Sequence, residues 1–69
     1  MKTLRSPSDF KIKGIADGSL YRARVERNGG GPFEVDGKPV KVWETSQQMD
    51  RDTAIGLAIL AIEVGRVTI

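Results

Sequence analysis

"MDRDTAIGLAILAIEVGRVTI", residues 49–69, decides what kind of domain this chain forms. From Ala54 to Ile62 it carries no charge. A helix turns about 100° per residue, so Ile55, Ile59 and Ile62 gather on one side of it. Leu57, Leu60 and Val64 fall on the opposite side. Between the two flanks runs a stripe of small residues, Ala54, Ala58, Ala61 and Gly65, and the polar remainder is narrow: Asp52, Gly56 and Glu63. The apolar arc exceeds the ~100° stripe that an ordinary surface helix buries. Two starts compete. Thr45 with Gln48 makes a T-x-x-Q capping box. Asp50 is the preferred cap, with Asp52 in the first turn, where the helix dipole favours an acid; "TSQQM" is then a loop or a frayed turn. The helix ends near Val64 with Gly65 as its C-terminal cap, and "RVTI" becomes an extended tail that adds strand contacts.

A small-residue stripe implies close approach to a sheet, and the preceding sequence supplies strands. In "FKIKGI", 10–15, Phe10 and Ile12 point one way and Lys11 and Lys13 the other, the period of a half-buried strand. Gly14 breaks that pattern or makes a bulge. Asp17-Gly18 is a hairpin pair. "LYRARVER", 20–27, turns Tyr21, Ala23 and Val25 inward and Arg22, Arg24 and Glu26 outward. "NGGGP", 28–32, is a loop. In "FEVDGKPVKVWET", 33–45, Asp36-Gly37 marks a second hairpin. A two-residue turn there pairs Val35 with Lys38 and Phe33 with Val40, which places Phe33, Val35, Val40 and Val42 on one face. Pro32 and Pro39 make residues 33–35 a short edge strand. The expected fold is α+β: an antiparallel sheet of three to four strands packed against one C-terminal helix. Residues 10–69 are a single β-β-β-α domain. Residues 1–9 are a flexible arm, or at most one turn capped by Ser6.

Composition removes most chemistries. The 69 residues include no cysteine and no histidine. Disulfides, thiolate metal sites, and catalysis by Cys or His are excluded, and stability must come from one small core or from association. "GPFEVDGK" has the wrong spacing for a phosphate-binding loop, and Pro39 occupies its Ser/Thr position. Asp50 and Asp52, with Arg51 between them, read as a helix N-terminus rather than a cation site. Glu34 with Asp36, or Glu44 with Asp50, are acids flanking turns rather than an acid/base pair. The chain is expected to be no enzyme, with no cofactor, no metal and no small-molecule substrate. The N-terminus has no apolar core of a secretory signal. The longest apolar run falls well short of the ~20 residues a bilayer needs. A cytoplasmic protein without membrane contact is the expectation.

Charge is uneven. The net charge is +2, but residues 1–27 carry seven basic residues against three acidic ones, +4, and residues 28–69 carry four against six, −2. With Val42 inward, Trp43 faces outward beside Lys41. Lys11, Lys13, Arg22, Arg24, Lys41 and Trp43 then share the open sheet face, a set suited to phosphates and bases. The same pattern also solvates an open sheet and discourages edge pairing, and Trp43 could lie over Lys41 and Arg22 with no partner involved.

"GSLYRARVERNGG", then "VWET", then "TAIGLAILAI" resembles a loose pattern in short uncharacterised proteobacterial proteins of β-β-β-α type. The order of elements is also similar to the arm-binding domains of phage integrases and to the partial double-stranded-RNA-binding fold of HicB-type antitoxins. The resemblance spans about residues 10–65. "SQQMD" before the helix departs from it, as does the lack of an N-terminal helix. It implies a binding module, and no functional residue carries over from it.

The helix flanks leave two outcomes. Sheet and tail cover both, or one flank, formed by Leu57, Leu60 and Val64, stays exposed for a second copy or a protein partner. The function expected first is a small non-enzymatic binding or interaction domain of unknown ligand, acting by protein–protein contact or self-association through that flank. The alternative is nucleic-acid binding by the basic sheet face.

Overall fold

The computed structural model describes residues 7–69. The arm expected over residues 1–9, with its Ser6 cap, lies largely outside them; Pro7–Asp9 form a single 3-10 turn. Six strands follow, β1 Phe10–Asp17, β2 Leu20–Arg27, β3 Phe33–Val35, β4 Lys38–Val40, β5 Trp43–Glu44 and β6 Val67–Thr68, with one helix, α1 Arg51–Glu63, between the last two. The fold is α+β and antiparallel throughout. The strands divide into two three-stranded sheets, ordered β1-β2-β5 and β4-β3-β6, rather than one. The chain switches sheets at Lys41-Val42, after Pro39 has limited what β4 can pair with.

The first hairpin runs from Phe10↔Arg27 to Asp17↔Leu20 without interruption. Its turn pair is Gly18-Ser19, one residue later than Asp17-Gly18. Gly14 makes no break: it pairs with Ala23 inside the ladder. Its role is space. A Cβ there would stand 2.5 Å from Arg51 Cγ, so glycine lets the first helical side chain cross the strand.

In the second hairpin Phe33 pairs with Val40 and Val35 with Lys38, the register the sequence implies. Asp36 and Gly37 both have positive φ, 52° and 82°, the signature of a type I′ turn whose twist matches its strands. The tail joins this hairpin: β6 pairs with β3, Val35↔Val67 and Glu34↔Thr68. The Arg66 guanidinium grips Asp36 with two bonds of 3.0 and 3.1 Å.

Asp50 caps α1, its carboxylate accepting from the Thr53 N–H at 3.1 Å and from the Thr53 hydroxyl. The far end closes as a Schellman motif: Gly65 N–H donates to Ile62 C=O and Arg66 N–H to Ala61 C=O, at 3.2 and 3.0 Å. Between these caps Ala54, Ala58 and Ala61 are buried, as the small stripe required. The helix packs on β1, β2 and β6. Ile62 is fully buried and Ile55 and Ile59 half-buried. Phe10 and Phe33 meet edge to face, 5.5 Å between centroids, and join the inner faces of the two sheets. Val42, expected inward, is exposed, because it sits in the bend between sheets.

Candidate interaction site

The opposite helix flank is uncovered. Leu57, Leu60 and Val64 are 37%, 53% and 57% exposed, where every other large apolar residue of α1 is at least half-buried. The cause lies in the sheet. The ladder order β1-β2-β5 ends in a strand of only two residues, so the sheet runs out beneath this side of the helix.

What stands beyond β5 is a strap, Thr45–Gln48, held to the β2 edge. Thr45 N–H donates to Ala23 C=O at 3.0 Å, and the buried Thr45 Oγ1 accepts the Ala23 N–H, also at 3.0 Å. Two residues on, Tyr21 and Gln48 exchange backbone bonds of 2.9 and 2.8 Å. Gln47 reaches Asp17 at 2.7 Å. The strap thus occupies backbone groups that would otherwise form a bare sheet edge. Thr45 therefore serves the edge of β2, not the helix start.

Between strap and helix lies a groove of about 460 Å³ lined by Trp43, Ser46, Leu57, Leu60, Val64 and Arg66, among others. Trp43 faces it from the side of the sheet opposite to the one expected. It pairs with Val25, which is fully buried, and its half-buried ring packs on the core. The bend at Lys41-Val42 resets the alternation, so Glu44 takes the outer face and Trp43 the inner one. The cation over the indole is Arg66, 5.8 Å from the ring centroid, rather than Lys41 or Arg22. Hydrogen bonding from Arg66 holds the Asp36 carboxyl below its usual range, and Asp36 raises Arg66 in turn.

The basic face is accordingly split. Lys11, Lys13, Arg22 and Arg24 do share the outer side of the first sheet, but both arginines are engaged. Arg22 Nε bonds Asp17 at 2.7 Å, and Arg22, seconded by Gln47, holds the Asp17 carboxyl below its ordinary value. Arg24, standing opposite Lys13, turns to Glu44 with two bonds of 3.0 and 2.8 Å. Lys11, Lys13 and Lys41 are exposed, with no carboxylate within ion-pair distance among the described residues. Trp43 belongs to the groove, not to this face.

Among the described residues no three acids gather where one cation could be held, and none of their helices is long and apolar enough to cross a membrane. No protein-family model, curated protein or solved structure matches the chain. The groove's residues outside the helix, Trp43, Ser46 and Arg66, escape sequence reasoning. Their one signal is Arg66 following the Gly65 cap, where a Schellman turn brings the chain back toward the sheet.

Proposed function

We propose that this chain is a small non-enzymatic interaction domain that pairs with a second copy of itself through the Leu57/Leu60/Val64 flank of α1. The observation that carries the reading is the exposure of those three side chains beside Trp43. Their spacing of three and four residues is that of a helix–helix seam. Thr53 continues the same line toward the N-terminus, so the seam holds no charge to oppose an identical copy. Across a two-fold axis each helix offers the same knobs and the same groove, and antiparallel helices align their dipoles favourably. The core also favours association. Of ten buried apolar residues among those described, four are alanine, which leaves few large side chains to hold so short a chain.

Trp43 reports on the groove, since no other tryptophan is present. Its emission should shift to the red on dilution, as the groove opens to water. Leu60→Glu should give the red-shifted spectrum at every concentration while remaining folded, because Leu60 lies outside the core. An emission maximum independent of concentration and identical in the variant would end the proposal.

A second reading is contact with nucleic-acid phosphates through Lys11, Lys13 and Lys41. What supports it is that these cations, unlike Arg22 and Arg24, have no acid within ion-pair distance among the described residues. Binding of short duplex DNA or RNA that weakens steeply with salt would favour it. No binding at low salt would remove it.

A further inference from the structure

A second concavity, of about 340 Å³, shares no residue with the groove. It is lined by Lys11, Glu26, Arg27, the glycines at 29–31, and Lys41. Lys11 stands on the outer face of β1, Arg27 ends β2, and Lys41 opens the bend after β4. Three elements distant in sequence thus bring three cations to one place. Arg22, Arg24 and Arg66 each hold a carboxylate, yet Lys11, Arg27 and Lys41 have none within 4.0 Å among the described residues.

The glycine loop adds donors. Arg27 Nη1 donates to Pro32 C=O at 3.1 Å, which steadies the guanidinium beside the loop and leaves Nε and Nη2 without an acceptor among the described residues. Gly30 N–H donates back to Arg27 C=O at 3.0 Å and folds the loop; the N–H groups of Gly29 and Gly31 have no such backbone acceptor among the described residues. All three glycines are exposed, and a Cβ would meet nothing within 4 Å at Gly29 or Gly30 and only Arg27 Nη1, at 3.9 Å, at Gly31, so the loop is not packed against the rest of the fold. Glu26, opposite Lys11 in the ladder, is the single acid in the concavity. Three cations against one acid leave it with two net positive charges.

Two ammonium groups, a planar guanidinium and two amides of an exposed loop are the donors a phosphate group takes; a carboxylate, with two oxygens, would leave several unused. We infer that this concavity binds a phosphate-bearing anion. Lys11 and Lys41 supply point charge, Arg27 a directional pair of donors, and Gly29 and Gly31 backbone bonds. The inference is independent of association through α1. It requires the Arg27 and glycine contacts, which a diffuse basic face would not use.

The test is an amide NMR titration of the full chain at low salt, with inorganic pyrophosphate in one series and a short single-stranded DNA in another. Saturable shifts of the Gly29 and Gly31 amides are expected in at least one series. Shifts with pyrophosphate alone assign the site to free phosphate compounds; shifts with the oligonucleotide alone assign it to a strand backbone; shifts with both assign it to the phosphate group in either setting. Lys11→Ala and Lys41→Ala should each weaken binding about tenfold or more, with folding read from the remaining amides, while Lys38→Ala, an exposed lysine outside the concavity, should leave it unchanged. If neither probe moves Gly29 and Gly31, or if Lys38→Ala weakens binding as much as Lys41→Ala, the site does not exist.

Discussion

Trp43 stands opposite Val25 across the β2–β5 ladder, so the indole shares the buried side of the sheet with a valine that has no solvent contact. This places the ring against the core on one side and in the groove beside Leu57 and Leu60 on the other. It also ties the groove to β2 through the residues that follow. Thr45 and Gln48 fasten the same segment to Ala23 and Tyr21.

Thr45 is the first point at which that fastening can be tested. Thr45→Val keeps the shape and removes the Oγ1 that accepts the Ala23 N–H, leaving a buried donor unsatisfied. A loss of about 1–3 kcal/mol is expected, read from urea unfolding with an unchanged denaturant slope. Thr45→Ser should recover most of it. A valine variant as stable as the parent would show that water reaches this edge.

Gly14 and Arg51 should behave as a coupled pair. Gly14→Ala sets a methyl where Arg51 Cγ and Nε now lie, at 2.5 and 2.6 Å. Alone it should destabilise, because Arg51 must leave its path across the strand. In an Arg51→Ala background the same change should be neutral or stabilising, since alanine suits a strand better than glycine. Additive effects in the double-mutant cycle would refute the close approach.

The two small residues Gly56 and Ala58 lie on opposite sides of the helix. Gly56→Ala meets nothing within 4 Å and should raise stability by roughly 0.5–1 kcal/mol. Ala58→Glu buries a charge in the fully covered stripe and should prevent folding. A folded Ala58→Glu protein of native stability would mean the inward face is misassigned.

Much of this was legible in the sequence where the determinants are local. Asp36-Gly37 fixes a two-residue turn, and the turn fixes the register of Phe33 and Val40. Asp50, Gly65 and the alanine stripe define the helix and its buried face with no help from elsewhere. Features set by distant partners were not legible. Gly14 looked like a break because Arg51, which explains it, is 37 positions away. Strict alternation through Lys41-Val42 predicts the outer face for Trp43, but the chain changes sheets there and the indole lies on the inner one. The basic face looked uniform because a strand pattern shows where Arg22 and Arg24 point, not that Asp17 and Glu44 meet them there. Whether the Leu57/Leu60/Val64 flank stays open or is covered by sheet and tail was also undecidable, since it depends on β5 being two residues long.

Acid should lower stability by protonating three aspartates. Asp17, Asp36 and Asp50 are each held below the ordinary value of 3.8, by hydrogen bonds from Arg22, Arg66 and Thr53 respectively. A carboxyl whose folded value is depressed stabilises fully above its unfolded value and loses that contribution as pH falls through the folded one. Stability should therefore be level at pH 5–7, on the order of a pH unit or more above those values, and fall below about pH 4. Asp50→Asn should flatten part of that fall in urea midpoints taken between these limits. A midpoint unchanged down to about pH 2 would show that these bonds do not differ between folded and unfolded chains.

The central claim is that Leu57, Leu60 and Val64 are left uncovered because a second copy covers them. Sedimentation equilibrium over a wide concentration range tests it most directly. Self-association through this flank requires the parent chain to approach twice its 7.5 kDa monomer mass as concentration rises, and folded Leu60→Glu to stay at the monomer mass throughout. A parent chain that remains monomeric at the highest concentration, or a Leu60→Glu variant that dimerises equally well, would contradict it.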